Sequence, residues 1–540
     1  MPRSKTSLSE EPDAADLLLL DPQDNVAVAV RSLAQGQQIE IDGERLTLTA
    51  PVRLGHKIAL RAIEPNSPVI KYGHPIGHAT GKIEPGEWVH SHNLIAGQLA
   101  TDVRPASAIP APPPPITDRT FAGYRRTDGR AGTRNYVAVI STVNCSASVS
   151  RAIVDQFDQQ ILDRYANVDG LLALTHGGGC GMQFGGDVHQ TLNRVLGGMA
   201  RHPNIGGYLL IGLGCEQGAM GYLIDQQQLV QIDGKPMGGG LADSAAALDN
   251  EGNRVDRPAV LSMQDCGGTR ATVEAGIRHL AELLPRANDV QRQPLPISQL
   301  VVGTECGGSD GASGITANPA VGIASDMIVA GGGTSIIAET PELFGAEQLL
   351  TRRARTAAVA QQLLDRLDWW QDYAGKFGVE LDNNPTTGNK EGGLTTIYEK
   401  SLGAVAKAGS TALEAVYEYA EQVTQRGLVV MDTPGYDPVS VTGMVAGGAN
   451  MIVFTTGRGS CFGCKPTPSI KVATNTPMYE QMRDDMDINA GEILHGKSIA
   501  EVGREIFEEI IAVASGRPSR SEAHGLGTEE FVPWQPGPTL

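Results

Sequence analysis

The chain has 540 residues, of which 41% are hydrophobic, 19% charged and only 5% aromatic, with 66 glycines and a formal net charge of −18. Such a length calls for two to four domains, and the glycine excess points to an α/β scaffold rich in tight turns. The acidic balance argues against nucleic acid or an anionic membrane as partner, since both reward a basic face.

Residues 1–21 are polar and acidic and read as a flexible tail, with no apolar segment of signal length. No stretch nears the roughly 20 apolar residues that cross a bilayer, so a cytoplasmic location is expected. A compact β unit over 22–98 follows. Val26, Val28 and Val30 alternate, and Ile39–Ile41 meets Leu46–Thr49 across Asp42-Gly43, a hairpin signal because Asp-Gly supplies positive φ angles. The Pro-rich run 105–116, within a stretch spanning 99–118, reads as a stiff linker between separately folded parts.

Beyond it the pattern alternates between strand and helix. Strands are expected at 136–140, 171–174, 208–211, 300–302, 335–338, 428–431 and 451–454, and one helical face carries Val149, Ile153, Phe157 and Ile161. Continuous apolar strands between helices imply mainly parallel sheets covered on both faces. A polar, Pro-containing stretch near 287–297 divides an α/β region 119–290 from a second, 291–540.

Seven cysteines, odd in number and widely spaced, are no disulfide framework. Four of them, Cys145, Cys180, Cys215 and Cys306, each follow an expected strand, and the first three recur at an interval of 35 residues. Ligands of open parallel sheets bind beyond the carboxyl ends of strands, so these thiols can converge; small buried residues are the alternative. Their neighbours favour a site. His176 lies in Thr-His-Gly-Gly-Gly-Cys-Gly (175–181), Glu216 beside Cys215, and Ser309 and Asp310 in the loop after Cys306. Cys, His and carboxylate on Gly-rich loops suit iron, manganese or zinc. The Gly212–Gly218 segment is one residue too long for a dinucleotide fingerprint, and the lone Cys461/Cys464 pair is poor evidence for structural zinc. An anionic substrate needs local cations, and Lys57, Lys71, Arg134, Lys390 and Arg458 all sit among Gly, Asn and Thr.

These segments resemble the altronate and galactarate dehydratases from about residue 22 to the C-terminus. The likeness is carried by Gly-His-Lys-Ile-Ala-Leu (55–60), Lys-Tyr-Gly-His-Pro-Ile-Gly (71–77), Gly-Thr-Arg-Asn (132–135), Gly-Leu-Gly-Cys-Glu (212–216), the run 306–319, Asn-Pro-Thr-Thr-Gly-Asn-Lys-Glu-Gly-Gly (384–393) and Thr-Thr-Gly-Arg-Gly (455–459). The resemblance implies an N-terminal β-clip domain of the SAF type, two α/β regions, dehydration of a six-carbon sugar acid, and ferrous iron replaceable by manganese. It carries over His56, Lys57, Lys71, Arg134, Asn135, His176, Cys180, Cys215, Glu216, Cys306, Asp310 and Lys390, without their roles. Val-His-Ser-His-Asn (89–93) resembles the altronate branch, whereas Ser-Cys-Phe-Gly (460–463) and an apparent insertion at 233–256 depart from the family and leave the sugar acid open.

Loss of the C2 proton and the C3 hydroxyl requires a base, an acid and cations on the carboxylate. His56, Lys57 and His176 are therefore assigned to catalysis. Lys71, Arg134, Asn135, Ser309, Asp310, Lys390 and Arg458 are assigned to the substrate, with Arg134 and Lys390 clamping its carboxylate. Cys145, Cys180, Cys215, Glu216 and Cys306 are assigned to the metal, an iron–sulfur cluster on three of the cysteines being the alternative. A homodimer is expected. A lyase for another 2-hydroxy acid such as sulfolactate, an NAD- or thiol-dependent oxidoreductase and a non-catalytic sugar-acid sensor are the competing functions.

Overall fold

Runs of Val, Ile and Leu with no polar alternation form strands buried on both faces, and two parallel sheets result. The computed structural model describes residues 16–41, 43–97, 102–218, 220–230, the strand pair 247–248 and 254–255, and 258–536. The first sheet runs in the order Gly170–Leu174, Tyr136–Ser141, Ile205–Gly212, Ala259–Ser262, every pair parallel. The second has seven parallel strands in the order Leu413–Tyr417, Gly427–Met431, Thr334–Ile337, Val301–Cys306, Met451–Thr456, Ser469–Ala473, Ile488–Asn489.

All seven expected strands form. Ala259–Ser262, Leu413–Tyr417, Ser469–Ala473 and Ile488–Asn489 are additional. The helical face expected through Ile161 is broken into Ala147–Val154 and Gln159–Leu162, because the Asp158 side chain accepts from Ile161 N and starts a new turn. In the larger sheet the chain leaves Val301–Cys306 to one side, lays three strands there, and returns to the other side with Met451–Thr456. The crevice for a ligand therefore opens between the carboxyl ends of those two strands.

Helices Asp187–Ala200 and Asp437–Ala446 pack side by side between the sheets. A Cβ on Gly198 would fall 2.2 Å from Ala446 O, so only glycine permits the approach. Both helices run back from the carboxyl end of their sheet, and their last turns meet at its amino end. At the amino ends His202 Nε2 bonds Ala449 O at 2.9 Å and Thr133 Oγ1 donates to Asn450 O at 2.7 Å. The carboxyl ends of both sheets thus face the same side of the molecule.

The N-terminal unit is built of short strands. Leu17–Leu18, Val26–Ala29, Lys57–Ala59 and Trp88–Val89 form one sheet, Pro68–Lys71, His74–Ala79 and Leu94–Ile95 another. The hairpin pairs Ile39 with Leu46 and Ile41 with Glu44; Gly43 has φ 80°, and Asp42 lies outside the described residues, as do most of 233–256 and the first fifteen residues. The unit is not separate from the body. Val26, Ala59, Val69 and Ile76 share one core with Ile337, Leu343, Leu402 and Leu413 of the larger α/β region. The Pro-rich run lies along the same region, with Ala106 N donating to Thr351 O at 2.9 Å and Ile116 N to Ala330 O at 2.9 Å. Among the described residues no helix is long and apolar enough to cross a membrane.

Candidate active site

At the crevice the loop after Val301–Cys306 carries Asp310, a buried carboxylate that accepts from Ser313 Oγ (3.0 Å), Thr474 Oγ1 (2.9 Å), Asn475 Nδ2 (3.0 Å) and Ala312 N (3.2 Å). Burial raises its pKa against the pull of these donors. Gly457 faces it closely, since a Cβ there would lie 2.2 Å from Asp310 Cγ. The N-terminal unit closes the crevice from above, where a Cβ on Gly311 would sit 2.0 Å from Gly55 O. Between them lies a cavity of about 650 Å³ lined by Arg31, Arg53, Asp310, Arg458, Asn475 and His495, among others. A second cavity of about 540 Å³ shares Arg53 and Glu391 with it and is walled by His56, Trp88, His90 and Lys390.

His56 is buried and neutral. Trp88 Nε1 can only donate, so His56 Nδ1 accepts it at 3.1 Å, and the proton sits on Nε2, 3.2 Å from Glu391 O. Burial, then the charge of Lys57, lowers its pKa to about 4. His90 stacks on it at 5.3 Å. Lys390 rides on the helix Thr387–Glu391, whose first turn is closed by a reciprocal Thr386–Asn389 cap. Asn389 Nδ2 also donates to Ser309 O at 2.8 Å, tying this helix to the Asp310 loop. The buried Ser309 Oγ has no partner among the described residues.

Two expected site residues lie beneath the cavities instead. Lys57 Nζ donates to Gly393 O (2.7 Å) and to both oxygens of Glu399 (3.0 and 2.9 Å), and Lys71 Nζ donates to Glu399 Oε1 (2.8 Å). All three side chains are fully buried. Burial alone would raise the Glu399 pKa, but the two ammonium groups outweigh it and hold the carboxylate well below its usual range. Lys57 as a catalyst and Lys71 as a substrate ligand are thus corrected: they fasten the N-terminal unit to the body.

Arg134 is also corrected. It precedes the strand Tyr136–Ser141 and so lies at the amino end of its sheet, away from the crevice. Its guanidinium is spent on Glu522 (2.7 Å from both Nε and Nη2) and on the carbonyls of Thr133, Val513 and Arg517. Asn135 beside it accepts from Arg126 (3.0 Å) and donates to Asn167 O and Ala287 O. Both residues knit the α/β regions and leave no free donor for a substrate.

The remaining candidates gather at the carboxyl end of the smaller sheet. Asn144 N donates to Gly178 O (2.9 Å) and Gln217 N to Gly179 O (3.0 Å), which brings the loops of Cys145, Cys180 and Cys215 together. All three thiols are free and exposed, and Gln264 Nε2 donates to Cys215 Sγ at 3.4 Å. The half-buried Cys266 follows the fourth strand, which sequence reasoning missed. His176 gives Nε2–H to Ser141 O (2.9 Å) and takes Gly178 N on Nδ1 (3.1 Å), while burial lowers its pKa to about 4. It braces the loop rather than moving protons. Glu216 is likewise pinned within its loop by Thr142 Oγ1 (2.9 Å) and Gly214 N (2.7 Å). Cys306 does not join these thiols; it is buried at the end of a strand in the other sheet. Cys464 is in the core while Cys461 is exposed, so they do not act as a pair.

Comparison with known proteins agrees along the chain. Residues 15–96 match the altronate/galactarate dehydratase SAF domain, 123–288 the second domain of D-galactarate dehydratase/altronate hydrolase, and 297–539 the C-terminal part of D-galactarate/altronate dehydratase. The chain is 35% identical over 518 residues to altronate dehydratase of Escherichia coli, covering 96% of this chain and 98% of that one. It is 36% identical over 541 residues to galactarate dehydratase (L-threo-forming) of the same organism, covering 98% and 99%. The beta subunit of (2R)-sulfolactate sulfo-lyase from Chromohalobacter salexigens is 32% identical over 421 residues, which is 77% of this chain and 97% of the subunit. With its strand-rich SAF unit, its parallel sheets and these matches in one order, the protein belongs to the altronate and galactarate dehydratase family and is a hydro-lyase.

Proposed function

We propose that the protein dehydrates an altronate- or galactarate-like sugar acid to a 2-keto-3-deoxy acid in the cavities between the SAF unit and the larger sheet. The observation that carries the reading is a pair of adjoining cavities that share Arg53, one lined by Arg458, Asp310 and Asn475 and the other by Lys390 and neutral His56, cations for a carboxylate beside acceptors for hydroxyls, in a chain of net charge −18. Lys390, Arg53 and Arg458 take the carboxylate, where charge grows as the C2 proton leaves. His56 Nδ1 exchanges its Trp88 hydrogen bond for that proton. The C2–H pair becomes the C2–C3 double bond, the C3 hydroxyl leaves as water with the proton that His56 Nδ1 took, and the enol tautomerises to the ketone. Asp310 and Ser309 orient hydroxyls.

The same reading includes ferrous iron, with manganese as a substitute. Cys145, Cys180 and Cys215 are the candidates to hold it: they are exposed, undisulfided sulfur donors on adjoining Gly-rich loops, although their sulfurs do not all lie within 4.8 Å of one another, whereas Glu216 and Cys306 are engaged elsewhere. When bound, the ion supplies Lewis-acid polarisation of a substrate oxygen. Three thiols on neighbouring loops also favour an iron–sulfur cluster as a second reading, marked by brown colour and acid-labile sulfide. The enzyme acts as a cytoplasmic homodimer, for which light scattering would report twice the chain mass.

The test is a screen of aldonates, aldarates and sulfolactate with anaerobically purified, iron-loaded protein. A 2-keto-3-deoxy acid from one of the sugar acids is expected. Sulfite from sulfolactate, with no sugar acid turned over, would replace this reading with that of the sulfo-lyase relative.

A further inference from the structure

A third cavity, of about 440 Å³, opens where the Pro-rich run crosses the larger α/β region, and it shares no lining residue with the two described above. Pro110 of the run, Leu349, Arg352, Arg353, and Leu402 and Val405 of the helix Ile397–Val405 line it. The run is fastened at this place, since Arg352 O accepts from Ala108 N at 2.7 Å and Thr351 O from Ala106 N at 2.9 Å. Small-molecule sites have volumes of about 300–1,000 Å³ and set a few polar groups in an apolar lining, as this cavity does.

Its charge is one-sided. Arg353 is only 8% exposed, and its guanidinium meets carbonyls alone: Nη1 donates to Gly409 O (2.6 Å) and Thr411 O (3.0 Å), Nη2 to Ala408 O (3.4 Å). Its Nε is buried with no acceptor among the described residues. Arg352 beside it is exposed and has no ion pair among the described residues. No acidic residue lines the cavity. The charge of Asp326 does reach Arg353, but that carboxylate already accepts from Ser410 N (2.8 and 3.0 Å), Ser410 Oγ (2.7 Å) and Thr411 N (3.2 Å). Burial outweighs it and lowers the Arg353 pKa to about 10. A buried guanidinium with no carboxylate of its own is costly, and an anion in the cavity would relieve it.

We infer that this cavity is an effector site for a small organic carboxylate with an apolar tail. The carboxylate lies against Arg352 and Arg353, whose planar forks suit it, and the tail covers Leu349, Leu402 and Val405. The helix that supplies Leu402 and Val405 carries Glu399 in its first turn, where Lys57 and Lys71 of the SAF unit are held. Occupancy therefore braces both the docked linker and the helix on which the seam depends.

Equilibrium dialysis of labelled hexanoate against the full-length protein tests this. Wild type should bind one hexanoate saturably, with a rise in melting temperature. Lys390→Met should bind it equally, which separates this cavity from the proposed substrate site. Hexanamide, the same tail without the charge, should bind more weakly by about tenfold or more, and so should hexanoate to Arg352→Met, because a charge-assisted pair is lost. Arg352 is exposed and holds no ion pair among the described residues, so this variant keeps its fold even if Arg353→Met unfolds. No saturable binding in wild type, equal binding of hexanamide, equal binding in Arg352→Met, or loss of binding in Lys390→Met would each overturn the site.

Discussion

Glu399 receives Lys57 on both carboxylate oxygens, at 3.0 and 2.9 Å, across 342 residues of sequence and through the seam between the SAF unit and the body. With Lys71 on the same carboxylate, no member of the trio touches water. Removing the shared partner by Glu399→Ala strands two buried cations, which should cost about 3–5 kcal/mol. Urea unfolding of the variant measures it. An unchanged midpoint would mean that the trio does not hold the seam.

The same carboxylate sets an acid limit. Its folded pKa lies below the unfolded value of 4.5, so its stabilisation is complete above that value and is lost as pH falls below it. Unfolding free energy should decline with acid below about pH 4.5, and Glu399→Gln should flatten that slope. Parallel slopes in the two proteins would assign the acid sensitivity to other groups.

For His56, burial and Lys57 place the pKa at about 4, so the ring is already neutral at pH 6. The kcat/KM profile should therefore lack the limb near 6.5 that an ordinary histidine base produces. His56→Gln should lower kcat and remove the acid limb near 4. A limb near 6.5 that disappears in His56→Gln would show a ring that is solvated in the working enzyme.

Substrate cations and structural cations should separate cleanly. Lys390→Met and Arg458→Met should raise KM or lower kcat about tenfold for each 1.4 kcal/mol lost, with melting unchanged. Arg134→Met should instead destabilise the fold by about 3–5 kcal/mol, since Glu522 and three carbonyls lose their donor. Exposed Arg520→Met should do neither. Normal melting in Arg134→Met would reopen its role at a substrate.

The thiol loops predict a protection pattern. In metal-free protein, exposed Cys145, Cys180, Cys215 and Cys461 should all react quickly with a thiol reagent. Ferrous iron should shield the first three and leave Cys461 reactive. Equal protection of all four, or of none, would remove the ion from these loops.

Much of this architecture was legible because buried parallel strands announce themselves as unbroken apolar runs. Ser469–Ala473 escaped because Lys471 interrupts it; that side chain is buried and donates to Phe462 O at 3.2 Å, a partner no local pattern reveals. Missing that strand hid Asn475 just beyond it. His56, Asp310, Lys390 and Arg458 were singled out because Gly-rich loops mark close backbone approach, and they line the two cavities. Arg134 shares that signal, yet it sits before its strand rather than after it, and that order could have placed it at the wrong end of the sheet. Glu399 gave no signal of its own, because Lys57 and Lys71 read as cations for an anionic substrate and their burial appears only in the fold. The Pro-rich run suggested independent parts, but a common core runs through the SAF unit and the larger region, so deleting residues 1–104 should unfold the body rather than merely idle it.

That shared core also dictates an order of events during synthesis. The SAF strands emerge well before the surface they settle on, including Glu399, which follows more than 300 residues later. At 5–20 residues per second the ribosome needs roughly 20–70 s to deliver it. Throughout that interval Lys57 and Lys71 lack the Glu399 carboxylate, and Val26, Val69 and Ile76 lack the part of their core that the larger region supplies. The nascent SAF unit is thus a client for holding factors, and slowing translation should raise its loss to proteases before it harms any later segment.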